Sequence, residues 1–153
     1  LLSVFGGKLT TYRKLAESAM QQLKAFFPEM QESWTATEAL PGGENMESVE
    51  QLMREIRAQV TDASEDLVKR WASAYGSRIW NILGEKSSVE QLGQHFGQGL
   101  YAREVDYLCT AEWVTTSQDV LWRRSKLGLS FTQKESEALD AYLIVKTHSN
   151  EAA

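Results

Sequence analysis

The stretches MESVEQLMREIRAQV, residues 46–60, and SEDLVKRWASAY, residues 64–75, decide the fold class. In the first, Met46, Val49, Leu52, Met53, Ile56 and Val60 recur at three- and four-residue steps. In the second, Leu67, Val68, Trp71 and Tyr75 do the same. At the α-helical period such positions share one face, so each stretch predicts a helix with an apolar stripe for a core.

The same reading extends in both directions. Downstream, Gly76 interrupts the pattern and a short helix is expected over Arg78–Leu83, with a further turn over Ser88–Leu92. Residues 93–99 hold three glycines, Gly93, Gly97 and Gly99, and read as a loop. Helices follow from Tyr101 to Val114 and from Ser117 to Leu127, where Gly128 stops the second. Thr132 and Glu135 have capping-box spacing and open a last helix to about Thr147, with a frayed tail to Ala153. Upstream, Pro41-Gly42-Gly43 marks a turn, and residues 31–40 lack a period. A helix over Thr10–Phe27 carries Tyr12, Leu15, Ala19, Leu23 and Phe26 and ends at Pro28. Ahead of it, Leu1–Phe5 reads as a short strand broken by Gly6-Gly7. The expected fold is therefore mainly α. It is a bundle of about six helices preceded by a strand-turn-helix segment, with domains at residues 1–28 and 44–148.

Composition excludes several function classes. Of the 153 residues, 42% are hydrophobic and 24% charged, which suits a folded domain. The formal net charge of −5 opposes sequence-independent nucleic-acid binding, which needs a basic footprint. That weakens a helix-turn-helix reading of the two helices meeting near Thr116. The single cysteine, Cys109, has no disulfide mate, and His95 and His148 stand far apart without ligand-like neighbours, so no metal site is expected. A reducing environment fits. No apolar run has bilayer-spanning length, and Leu1–Phe5 does not resemble a signal peptide. A start in mid-strand without methionine reads as a piece of something longer.

The sharpest chemical signal is Val4-Phe5-Gly6-Gly7-Lys8-Leu9-Thr10-Thr11-Tyr12-Arg13. Two glycines at a helix start let a ligand approach the backbone, free helix amides attract electron-rich oxygens, and Lys8 adds charge. A flavin uses such donors near N1 and O2 to stabilise its anionic reduced ring. The plainer alternative is a threonine-capped turn with Lys8 in solvent. Periodicity supplies a second signal. Val105, Leu108 and Cys109 form a stripe that continues onto Glu112, and the stripe of Val120, Leu121 and Leu127 includes Arg124. Lone buried charges are costly, so Glu112 and Arg124 are expected to pair, unless both stripes are only partly buried and each charge reaches water. Asp119 and Arg123 have i,i+4 spacing and suit a surface pair. Arg123-Arg124-Ser125-Lys126 reads as a solvated helix end, or as an anion contact. The five tryptophans suit a core, with Trp80 and Trp122 near stripe edges where they could face a partner or membrane. Cys109 is expected to be buried and inert.

Residues 3–17, SVFGGKLTTYRKLAE, resemble the closing motif of the FAD domain in bacterial aerobic FAD-dependent glycerol-3-phosphate dehydrogenases. The resemblance continues in order through Leu40-Pro41-Gly42-Gly43, Tyr75-Gly76-Ser77, Leu92-Gly93, Phe96-Gly97, Glu112-Trp113-Val114 and residues 119–124, DVLWRR. It implies an enzyme that oxidises sn-glycerol 3-phosphate to dihydroxyacetone phosphate, reduces FAD and passes the electrons to quinone, at the cytoplasmic face of the bacterial inner membrane. It implies that Gly6, Gly7, Lys8, Leu9 and Thr10 lie beside the flavin. It also implies that the dinucleotide-binding glycine turn and the arginines for the substrate phosphate belong to preceding polypeptide. On this reading the 153-residue chain is inactive alone, binds no FAD alone, and has the remainder of the enzyme as partner. The alternative is a helical module that holds a partner or a dimer mate through its apolar faces.

Overall fold

The computed structural model describes the backbone of residues 1–151 and side chains through Lys146. The expected tail at residues 152–153 and the His148 side chain lie outside the described residues. The chain divides into two units, Leu1–Leu40 and Pro41–Ala153.

The first unit is built on helix α1, Tyr12–Leu23, flanked by 3-10 turns at Leu9–Thr11 and Lys24–Phe26. None of its side chains is buried. Instead of a core, one carboxylate organises it. Glu17 on α1 accepts hydrogen bonds from Arg13 and Lys14 on its own helix, and from the hydroxyls of Ser33 and Thr35 on the returning segment. The strand expected over Leu1–Phe5 is absent; these residues have no regular structure and are exposed. Strand geometry needs a neighbouring strand for its amides and carbonyls, and the described residues of this unit offer none.

The second unit is mainly α and carries the core. Helices α2, Val49–Gln59, and α3, Glu65–Tyr75, start at Ser48 and Ser64, whose hydroxyls accept from the amides of Gln51 and Leu67. Their stripes meet through Leu52 and Ile56 on one helix and Leu67, Val68 and Trp71 on the other. Helix α4, Ile79–Leu83, buries Ile79, Ile82 and Leu83. Helix α5, Ala102–Ala111, adds Val105 and Leu108. Helix α6, Gln133–Glu151, closes the core with Leu139 and Leu143. Its capping box is formed: the Glu135 carboxylate accepts from the Thr132 amide at 2.7 Å, and the Thr132 hydroxyl accepts from the Glu135 amide at 3.3 Å.

Three local expectations are corrected. The glycine-rich stretch is a small hairpin, with β1, His95–Gly97, antiparallel to β2, Leu100–Tyr101. Gly97, Gln98 and Gly99 turn it with φ of 128°, 49° and 71°. Strands of three and two residues are too short to show alternation, so only their glycines were visible. Helix α5 stops at Ala111 rather than Val114, because Trp113 is left-handed at φ 59°. The segment expected as an α-helix from Ser117 is a π-helix over Asp119–Arg124. There both the Ser125 amide and its hydroxyl donate to the Val120 carbonyl, five residues back.

Of the tryptophans, only Trp71 is buried; Trp80 packs at the core edge, while Trp34, Trp113 and Trp122 are exposed. The core expectation therefore holds for Trp71 and fails for Trp34 and Trp113, while Trp80 and Trp122 take the edge positions expected of them. Among the described residues, no helix is long and apolar enough to cross a membrane.

Candidate functional site

The Gly6–Thr10 turn is the candidate ligand-facing element. Gly6 and Gly7 take φ of 78° and 135°, values that L side chains rarely adopt. Space around Gly6 is open: a Cβ built there meets nothing within 4 Å. The chain then enters the 3-10 turn, where the Thr11 amide and hydroxyl both donate to the Lys8 carbonyl at 2.9 and 3.0 Å. Gly6, Gly7, Lys8, Leu9 and Thr10 are all exposed. An open glycine backbone, an exposed lysine and the start of a twelve-residue helix together fit the electron-rich edge of a flavin. Thr11 spends its hydroxyl on the chain's own backbone, so it is not part of that surface. Further along α1, Glu17 is saturated by its four donors, of which the Thr35 hydroxyl foremost, then Lys14 and the Ser33 hydroxyl, hold its carboxyl down at about 2. A carboxylate held in that state is a clamp and a poor proton acceptor.

In the second unit, Glu112 and Arg124 are brought together, with Arg124 Nη1 donating to Glu112 Oε2 at 2.9 Å. Their side chains are 31% and 38% exposed, so the pair is half-solvated rather than buried. The cause is the early end of α5: Glu112 lies past the helix, off the stripe on which it was expected. Asp119 pairs with Arg123 at 2.8 Å on the surface. Hydrogen bonds from the Thr116 hydroxyl and the Thr115 and Thr116 amides hold the Asp119 carboxyl down at about 2. Cys109 is half-buried, and burial raises its thiol pKa, which keeps it protonated and unreactive.

The strongest polar constellation is one that the sequence reading missed. Glu104 on α5 is 1% exposed. It accepts from Arg70 Nη1 and Nη2 at 2.6 and 2.7 Å, from Tyr75 Oη at 2.6 Å and from Trp71 Nε1 at 3.2 Å. Arg70 Nη2 also donates to the Gly99 carbonyl at 2.7 Å, tying the hairpin to α3. Burial raises the Tyr75 phenol pKa, and the adjacent carboxylate raises it further. The signal was present: Glu104 lies four residues before Leu108 and beside Val105, on the apolar stripe, and Arg70 adjoins Trp71. A second missed feature joins two quoted motifs. The Ser77 amide donates to the Gly42 carbonyl at 2.8 Å. A Cβ at Gly76 would lie 1.9 Å from that carbonyl oxygen, and one at Gly42 would lie 2.5 Å from the Tyr75 oxygen. Both glycines are there for backbone contact. A third link joins α5 to α6, where Asp106 accepts from Tyr142 Oη at 2.8 Å and from Lys146. No group of three or more potential metal ligands occurs among the described residues.

Residues 33–148 match the family model for the C-terminal domain of alpha-glycerophosphate oxidase. The chain is 56% identical over 144 residues to a glycerol-3-phosphate dehydrogenase of Pseudomonas tolaasii, covering 94% of this chain and 28% of that protein. It is 37% identical over 147 residues to the aerobic glycerol-3-phosphate dehydrogenase of Escherichia coli, covering 96% and 29%. It is 40% identical over 139 residues to a D-erythritol 1-phosphate dehydrogenase of Brucella abortus, covering 90% and 28%. The chain thus spans under a third of the length of these relatives. No solved structure matches. The mainly α fold and the match over most of its length place the chain in the family of C-terminal domains of alpha-glycerophosphate oxidase.

Proposed function

We propose that this chain is the C-terminal part of an FAD-dependent glycerol-3-phosphate dehydrogenase. The enzyme would convert sn-glycerol 3-phosphate to dihydroxyacetone phosphate and deliver the electrons to quinone at the cytoplasmic face of the bacterial inner membrane. The observation that carries the reading is the open Gly6-Gly7-Lys8 turn at the head of α1, in a chain that matches one stretch of dehydrogenases more than three times its length. Bound FAD would supply the two-electron acceptor for alcohol oxidation. The work of this chain is positional. Gly6 and Gly7 would leave room for a flavin edge, the amides of Lys8, Leu9 and Thr10 would be its donors, and the Lys8 ammonium would sit where negative charge on the cofactor needs offsetting. Residues 1–28 are read as the closing segment of the FAD domain, with α1 as its last helix and Leu1–Phe5 as a strand that would form only beside the parent sheet, and residues 44–148 as the helical C-terminal domain. The lack of any buried side chain in the first unit supports this, since such a segment suits a larger host.

Anaerobic addition of sn-glycerol 3-phosphate to the purified full-length flavoprotein tests the reading, with D-erythritol 1-phosphate as the competing substrate. Bleaching of the oxidised flavin by the first is expected, at a kcat/KM at least tenfold above the second. A colourless full-length protein, or preference for the erythritol phosphate, would overturn it. The 153-residue chain alone is expected to bind no flavin and reduce no dye.

A further inference from the structure

Trp113 is the least economical residue of the second unit. It sits just past the end of α5 with φ 59°, where helices commonly place glycine, and its side chain is 87% exposed. A bulky L-residue in that conformation is strained, and an indole in water forgoes its burial. The strained corner is nevertheless held firmly. The Val114 amide donates to the Leu108 carbonyl, and the neighbouring Glu112 carboxylate accepts from Arg124. The same ion pair ties the corner to the π-helix that carries Trp122, whose indole lies over Gly128; a Cβ there would be 2.4 Å from the ring. Trp122 is exposed, and so is Leu129 beside Gly128. Trp113, the partly covered Trp122 and Leu129 are thus exposed on segments that this ion pair links. Strain kept at an exposed aromatic residue points to what that residue touches in the assembled protein.

We propose that the surface carrying Trp113, Trp122 and Leu129 is where the catalytic portion of the enzyme docks on this helical domain. The inference rests on the reading above. The occupant follows from length: the matched dehydrogenases carry more than two-thirds of their chain beyond this segment, and that polypeptide must meet the domain somewhere. Trp113 is the anchor, and Trp122 and Leu129 flank it. The domain is acidic overall, and the basic groups here are already engaged: Arg123 by Asp119, Arg124 by Glu112 and Lys126 by the Trp122 carbonyl. That favours a protein surface over an anionic lipid one.

Hydroxyl-radical footprinting with peptide mass spectrometry reads each indole separately. It is run on the 153-residue chain and on the full-length holoenzyme. Trp113 oxidation is expected to slow at least fivefold in the holoenzyme, while a free tryptophan derivative added to both samples calibrates the radical dose. Equal rates in both would overturn the proposal. So would protection in the short chain that grows with its concentration, which means a second copy. So would protection of the holoenzyme that appears only with anionic vesicles, which means lipid. The variant Trp113→Gly adds a readout that a structural role would not give. It should raise the unfolding midpoint of the 153-residue chain while speeding proteolytic release of the domain from the holoenzyme, and Trp113→Phe should restore slow release. A lower midpoint with unchanged release would also overturn it. An active dehydrogenase with unprotected Trp113 removes the docking surface and leaves the activity. Protected Trp113 in an enzyme that ignores glycerol 3-phosphate does the reverse.

Discussion

Replacing Glu104 by leucine strips α5 of a carboxylate that four donors on α3 converge upon. The Trp71 indole N–H is buried and loses its acceptor, as does the Tyr75 hydroxyl; at about 1–3 kcal/mol per orphaned group, discounted for the apolar volume gained, the variant should lose about 3 kcal/mol. Arg70 retains some access to water and adds little to that loss. The converse change, Arg70→Met, leaves the carboxylate buried with only two neutral donors and should cost about 4 kcal/mol, within the range for breaking a buried pair. Combining the two removes both charges and leaves mainly the Trp71 and Tyr75 orphans, so the double variant should be no worse than about 3 kcal/mol. The cycle therefore closes on a coupling energy of about 4 kcal/mol. Urea unfolding followed by tryptophan fluorescence and far-ultraviolet circular dichroism measures it. A matched cycle on the half-exposed Glu112–Arg124 pair should return less than about 1 kcal/mol. If the Glu104–Arg70 coupling is no larger than the surface value, the network is not the structural centre described here.

Gly76→Ala should destabilise the second unit by about 2 kcal/mol or more, since its Cβ meets the Gly42 carbonyl at 1.9 Å and the φ of 55° is unfavourable; a shifted urea midpoint reads this. Thr132→Ala removes the cap of α6 and should cost about 1 kcal/mol, read by urea unfolding and by faster amide exchange at Glu135 and Ser136. Glu17 has its carboxyl lowered from 4.5 to about 2, so its clamp stabilises the folded first unit above pH 4.5 and is lost as pH falls toward 2. Amide exchange near Ser33 and Thr35 should rise over that window in the wild type, while Glu17→Gln should be loosened at every pH.

Local patterns carried most of the element types. The α2 and α3 stripes and the Thr132–Glu135 box depend on residues near one another along a single helix, so they can be read without a fold. The Gly6–Gly7 turn was legible for the same reason. The hairpin over His95–Tyr101 was not, because its strands are too short for a period and its pairing is non-local. The π-helix escaped because one added residue in a turn leaves the hydrophobic pattern almost unchanged over a segment of six.

Sequence by itself settled the helical class and the family resemblance and pointed to the Gly6–Thr10 turn as a candidate, since each resides in consecutive residues. Tertiary structure alone decided which charges are buried. Glu104 and Glu112 both follow the α5 stripe on paper. Packing against α3 puts the first in the core against Arg70, and the end of the helix at Ala111, beside the left-handed Trp113, leaves the second half in water against Arg124. Only the fold, likewise, sets Gly42 against Gly76, because a contact between backbones distant in sequence leaves no trace in the pattern beyond two glycines.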